Sequence, residues 1–113
     1  MNFDVFMKQL KDWQEKPHMF IVDSKRMKQV ENAHNILESI ICKYSPDAKF
    51  EVEMNTLNTG SAALTVETDD VVVNNVQDFI AAIEHADNFE IYPLTDGNIR
   101  ISVTFNGVMK VIK

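Results

Sequence analysis

The side chains best suited to nucleophilic or metal chemistry in this 113-residue chain are three histidines, His18, His34 and His85, and one cysteine, Cys42. His34 and Cys42 belong to one predicted helix but stand about 12 Å apart along its axis, too far for a thiolate–imidazole pair. Both fit more simply as residues at the margin of a core. His85 falls in the last turn of another predicted helix, where the negative end of the backbone dipole favours a cation. His18 follows Pro17 and has no partner nearby in sequence. No zinc-ligand spacing, phosphate-cradling glycine loop or nucleophile elbow is present. The expectation is therefore no cofactor, no metal and no catalytic group.

Carboxylates make the more interesting set. Alternation along the predicted strands sends Glu51, Glu53, Glu67 and Glu90 to one face of a sheet, together with Tyr92, Thr65, Arg100, Ser102, Thr104 and Lys110. Four carboxylates beside an aromatic ring suit a basic partner segment, with electrostatics setting the rate of encounter. They would also suit a hard cation, but no loop of the required ligand density accompanies them. Glycosidase-like acid–base chemistry needs two carboxylates in a desolvated cleft, and an open sheet face is a poor cleft. The plainest account is a solvated face balanced by Arg100, Lys49 and Lys110.

Three helices and a series of strands must position these residues. Met1 to Lys16 reads as a helix with Phe3, Phe6, Leu10 and Trp13 on one stripe and Lys8, Lys11, Asp12 and Glu15 on the other; Pro17 stops it. That stripe either caps the core or serves as a docking arm through Phe3, Phe6 and Trp13. His18 to Val22 is a brief strand or the entry to the next helix. Asp23 or Ser24 can cap that helix, which runs to about Tyr44 on the stripe Met27, Val30, Leu37, Ile40, Ile41 and Tyr44, until Ser45-Pro46. Val71 to Val73 reads as a strand or a linker. Asn74 is placed to cap a last helix, with Gln77 reaching back and Val76, Phe79, Ile80, Ile83 and Ala86 on its buried face.

The strands fall at Lys49 to Asn55, Ala62 to Thr68, Phe89 to Ile91, Ile99 to Val103 and Val108 to Val111. Three-residue turns ending in left-handed Gly60, Gly97 and Gly107 predict Ile91 opposite Ile101 and Phe89 opposite Val103. The same rule sets Met109 opposite Val103, Met54 opposite Leu64, and Val52 opposite Val66. An internal echo runs through these elements. Leu37, Ile40, Ile41 and Tyr44 recur as Val76, Phe79, Ile80 and Ile83, and Phe50-Glu51-Val52 recurs as Phe89-Glu90-Ile91, both 39 positions on. Two residues fewer in the turn carry Leu64-Thr65-Val66 onto Ile101-Ser102-Val103. Duplication of an α-β-β unit and independent solutions of one packing problem both account for it. The fold class expected is α+β, a two-layer sandwich with helices on one face of an antiparallel sheet of about five strands. Its core is either ferredoxin-like in topology or a tandem of α-β-β units; neither implies a function.

Composition bounds the rest. The chain is 45% hydrophobic and 25% charged, as expected of one globular domain spanning residues 1–113. Its net charge of −6 is uneven: residues 50–96 hold ten acidic residues and no lysine or arginine. That balance argues against a nucleic-acid backbone as partner, and Lys25-Arg26-Lys28 is too small a cluster to reverse it. A single cysteine, no signal-peptide pattern at Met1-Asn2-Phe3-Asp4 and no long apolar run lead us to expect a cytoplasmic protein and no membrane partner. The function expected is a non-catalytic protein-binding or adaptor module that takes a protein partner, a basic one if the acidic face receives it. Two rival readings are a small enzyme or ligand binder with a pocket between helices and sheet near His34 and Tyr44, and a self-associating structural subunit, a homodimer, using the Phe3/Phe6/Trp13 stripe or an edge strand. Lysine at 110 and 113 discourages the edge.

Overall fold

A computed structural model of the chain describes residues 1–16, 19–41, 47–56, 59–69 and 76–112. The expectations resting on Pro17, His18, Cys42, Tyr44, Ser45, Pro46, Asn58, Val71 to Val73, Asn74 and Lys113 lie outside them.

Helix α1 (Phe3–Glu15) begins where the Asn2 side chain accepts from the Val5 N–H, satisfying one of the donors that a first turn leaves open. Its apolar stripe is spent on the domain's own interior: Phe6 and Leu10 are fully buried, Met7 joins them, and Phe3 and Trp13 pack at the margin. Strand β1 (Phe20–Val22) follows, and then helix α2 (Ser24–Ile41), capped by Asp23, whose carboxylate accepts from the Arg26 N–H at 3.0 Å. The α2 stripe Met27, Val30, Leu37 and Ile41 is buried as its spacing requires, with Ala33 and His34 filling the same face. Strands β2 (Lys49–Asn55) and β3 (Ser61–Thr68), helix α3 (Val76–Ile83), and strands β4 (Asn88–Pro93), β5 (Ile99–Phe105) and β6 (Met109–Val111) complete the order.

The architecture is α+β, with the helices packed on an antiparallel sheet of four strands in the order β2-β3-β5-β4 and a separate ribbon of β1 with β6. Two expectations are corrected by this order. A ferredoxin-like core would seat β1 inside the sheet beside β3, but β5 occupies that place, and β1 pairs with β6 instead (Phe20 with Val111, Val22 with Met109). Among the described residues the sheet of about five strands is therefore four, because β5 has β3 on one edge and β4 on the other and offers no edge to a final hairpin. Met109 consequently faces Val22, not Val103.

Register within the sheet is partly as the turns predict. Ile91 opposes Ile101 and Phe89 opposes Val103, with Leu94 N–H donating to the Asn98 carbonyl across the turn that holds Gly97. In the β2–β3 hairpin the partners are Val52 with Leu64 and Met54 with Ala62, two residues away from the expected register. The cause is Gly60. It has a φ of 59°, but five residues, 56–60, separate the paired Asn55 and Ser61 where three were expected, and its carbonyl accepts from Val108 and Met109 N–H groups. A slip of two preserves parity, so every side chain keeps its predicted face.

The echo in the sequence becomes a symmetry of the sheet. In the first unit Phe50 opposes Val66 and Val52 opposes Leu64; in the second Phe89 opposes Val103 and Ile91 opposes Ile101, which are the equivalent positions. Where the units meet, Leu64 pairs with Val103, Thr65 with Ser102 and Val66 with Ile101. Each contact is thus matched by its reciprocal, the signature of a two-fold relation, here centred between Thr65 and Ser102. This arrangement follows the tandem α-β-β alternative. The helices depart from it: Ile41 is buried, whereas its counterpart Ile80 is 51% exposed, which removes Ile80 from the expected buried face of α3. Phe79, Ile83 and Ala86 stay on that face, Ala82 joins them, and the Val76 side chain lies outside those described. Arg26 ties the start of α2 to the link between α3 and β4 in the second unit, donating to the His85 carbonyl (2.8 Å) and the Asp87 carboxylate (2.7 Å).

Candidate functional site

The sheet face turned away from the helices is built in three cross-strand rows. The first row runs Lys49, Glu67, Arg100, Tyr92; the second Glu51, Thr65, Ser102, Glu90; the third Glu53, Ala63, Thr104, Asn88. Alternation puts these side chains outside because Val52, Leu64, Val66, Ile101 and Val103 are drawn into the core. All five residues expected to mark the face, Glu51, Glu53, Glu67, Glu90 and Tyr92, therefore share it. Lys110 does not, since β6 has left the sheet.

The carboxylates are not equivalent. Glu67 is engaged by Arg100, which donates to its Oε1 from both Nε (3.1 Å) and Nη2. The Arg100 guanidinium also lies 5.9 Å from the Tyr92 ring centroid. Hydrogen bonds to Glu67 and then Tyr92 hold Arg100 protonated above its ordinary value, so it is a fixed cation at any working pH. Glu90 accepts from the Asn88 amide at 3.2 Å. Among the described residues, Glu51 and Glu53 have no hydrogen-bond or ion-pair partner for their side chains. They line a shallow depression of about 190 Å³ with Lys49, Thr65, Glu67 and Arg100.

This geometry decides what the face can do. Glu51 and Glu90 are separated by three strand spacings, about 14 Å, beyond the span at which two carboxylates act on one glycosidic bond. Glu51 and Glu53 are neighbours on one strand, but both are exposed and neither lies in a desolvated cleft. Among the described residues no group of three His, Cys, Asp or Glu side chains is arranged to hold a metal ion. What remains is a solvated platform with two free carboxylates at its β2 side and one fixed Arg–Glu pair at its centre. No protein-family model, no curated protein and no solved structure matches this chain significantly.

Elsewhere the expected sites are filled. His34 is stacked on Phe3 with ring centroids 3.6 Å apart and meets Phe50 edge-on at 5.5 Å, so the space between helices and sheet at this point is solid. Phe3, His34 and Phe50 thus form a packed aromatic layer at the His34 side of the pocket reading, whose other marker, Tyr44, lies outside the described residues. Trp13 is likewise committed, to Phe20 at 4.7 Å, and Phe6 is inaccessible. The His85 ring turns to the Glu84 carboxylate at 3.3 Å. Sequence reasoning missed one feature: Ile91 points to the core side of the sheet, yet it is 51% exposed. Its alternation was legible, but the absence of a cover over it was not.

Proposed function

We propose that this chain is a non-catalytic cytoplasmic protein-binding or adaptor module that receives a basic segment of a partner protein on the acidic face of its sheet. The observation that carries the reading is the pair Glu51 and Glu53, exposed on the open face with no ion-pair or hydrogen-bond partner for their carboxylates among the described residues. A lysine or arginine from a partner would complete them as Arg100 completes Glu67. The uneven charge adds support, since residues 50–96 contain no lysine or arginine and the field over this face steers cations toward it.

The test is capture of partner proteins by the intact chain and by the double variant Glu51→Lys plus Glu53→Lys. Exposed ion pairs contribute about 0.2–1 kcal/mol each, and reversal replaces attraction with repulsion. Together the two changes are expected to weaken capture roughly tenfold, a loss of about 1.4 kcal/mol. Affinity should also fall steeply as salt is raised. Capture indifferent to both salt and charge reversal would remove the acidic face from the binding mode.

A further inference from the structure

The two edges of the four-stranded sheet are treated differently. On β2 the backbone of Val52 is closed by the chain's own first residue: the Met1 amino group donates to the Val52 carbonyl (3.1 Å) and the Val52 N–H donates to the Met1 carbonyl (2.8 Å). Helix α1 then runs on beside β2, and Val52 is 1% exposed. The two-fold relation makes Ile91 on β4 the counterpart of Val52. Hydrogen bonding in an antiparallel pair alternates, and the Leu94–Asn98 bond fixes the phase on β4. Glu90 and Tyr92 thus turn their backbone groups inward to β5, while Phe89 and Ile91 turn theirs out to the edge. Among the described residues no backbone group meets that edge.

Side chains beside it favour an occupant. Helix α3 meets β4 through Phe79, whose ring packs edge-on against Phe89 at 5.5 Å, and the next residue, Ile80, is half exposed. Ile91, half exposed on the core side of the sheet, makes one side of the edge apolar, and Glu90 with Tyr92 bounds the other. From this we infer that β4 accepts an extended segment of a partner protein as a fifth strand, with alternate residues apolar toward Ile91 and basic toward Glu90. The inference rests on the acidic-face reading and adds the place and the backbone geometry of docking. A second copy of this chain is a poor occupant, because it brings its own net charge of −6 and a pairing centred on Glu90 would oppose two carboxylates.

The experiment titrates the intact chain with a short acetylated and amidated peptide alternating lysine and valine, followed by amide NMR. Bound peptide is expected to slow hydrogen exchange at the Phe89 and Ile91 N–H groups tenfold or more, leaving Val52 unchanged. Methylating the peptide nitrogens on one set of alternate residues should abolish binding, and on the other set should spare it. Ile91→Pro should also abolish binding while Glu90 and Tyr92 stay protected, since the Ile91 N–H takes no part in the ladder with β5. If both methylated peptides bind as well as the parent and only Glu51 and Glu53 respond, strand addition is overturned while the acidic face stands. No binding of the unmethylated peptide at low salt overturns both. A dimer of the chain alone with Phe89 and Ile91 protected makes a second copy the occupant and overturns the basic segment.

Discussion

Gly60→Ala is expected to cost about 3–5 kcal/mol, enough to leave a domain of ordinary stability partly unfolded at room temperature. Two costs combine. The residue lies at a φ of 59°, in the left-handed region, where a Cβ costs about 1–2 kcal/mol. A Cβ built there would also sit 1.8 Å from the Met109 carbonyl oxygen, inside any tolerable contact, and the obstacle is backbone that cannot rotate away. Relief requires the segment 107–109 to withdraw, which breaks the hydrogen bonds from Gly107 to Thr59 and from Val108 and Met109 to Gly60. Those bonds anchor β6, and β6 is the partner of β1, so the ribbon would loosen with the turn. Gly97→Ala provides the control: the φ is 87°, but a Cβ there meets nothing within 4 Å. Its cost should be the backbone term alone, about 1–3 kcal/mol. Urea midpoints of the two variants check the difference, and equal losses would mean that the approach of Met109 to Gly60 does not hold in solution.

That contrast also marks where the sequence stopped being readable. All three glycines look alike in sequence, each following a polar turn residue, and all three do adopt positive φ. What distinguishes Gly60 is the strand that crosses it, a contact 49 positions away that no local pattern encodes. Faces were legible throughout because the period of a strand survives a slip of two residues, as the β2–β3 hairpin shows. Strand order was less so. Alternation in Met109 to Val111 announces a strand but not its neighbour, and only the closure of β5 on both edges sends it to β1. The acidic face follows from parity and needed no coordinates. The pairing of Glu67 with Arg100 did need them, since it depends on which strands lie side by side. The half-exposed Ile80 and Ile91 were hidden for a related reason. Their spacing is that of core residues, and exposure comes from the second unit having, among the described residues, no counterpart of α1.

The role of α1 leads to the other large effect, Phe6→Ala. An amphipathic helix of this kind reads equally as a cover for the core and as an arm that could leave it, and the two accounts differ in energy more than in appearance. The Phe6 side chain is fully buried, 6.3 Å from the Phe3 ring, whose other face stacks on His34. If the helix is part of the cooperative fold, truncation removes the transfer energy of the ring and leaves a cavity, and the loss is about 3–5 kcal/mol. For a chain of this size that corresponds to a fall in melting temperature of about 15 °C or more. If the helix detaches readily, the unfolding of the remainder would be nearly indifferent to Phe6, and the variant would melt within a degree or two of the parent. A large fall ties Phe3, Phe6 and Trp13 to the interior and removes them as a docking surface. Binding must then use what the packed helix leaves open, and the same helix that seals Val52 has no counterpart over Ile91.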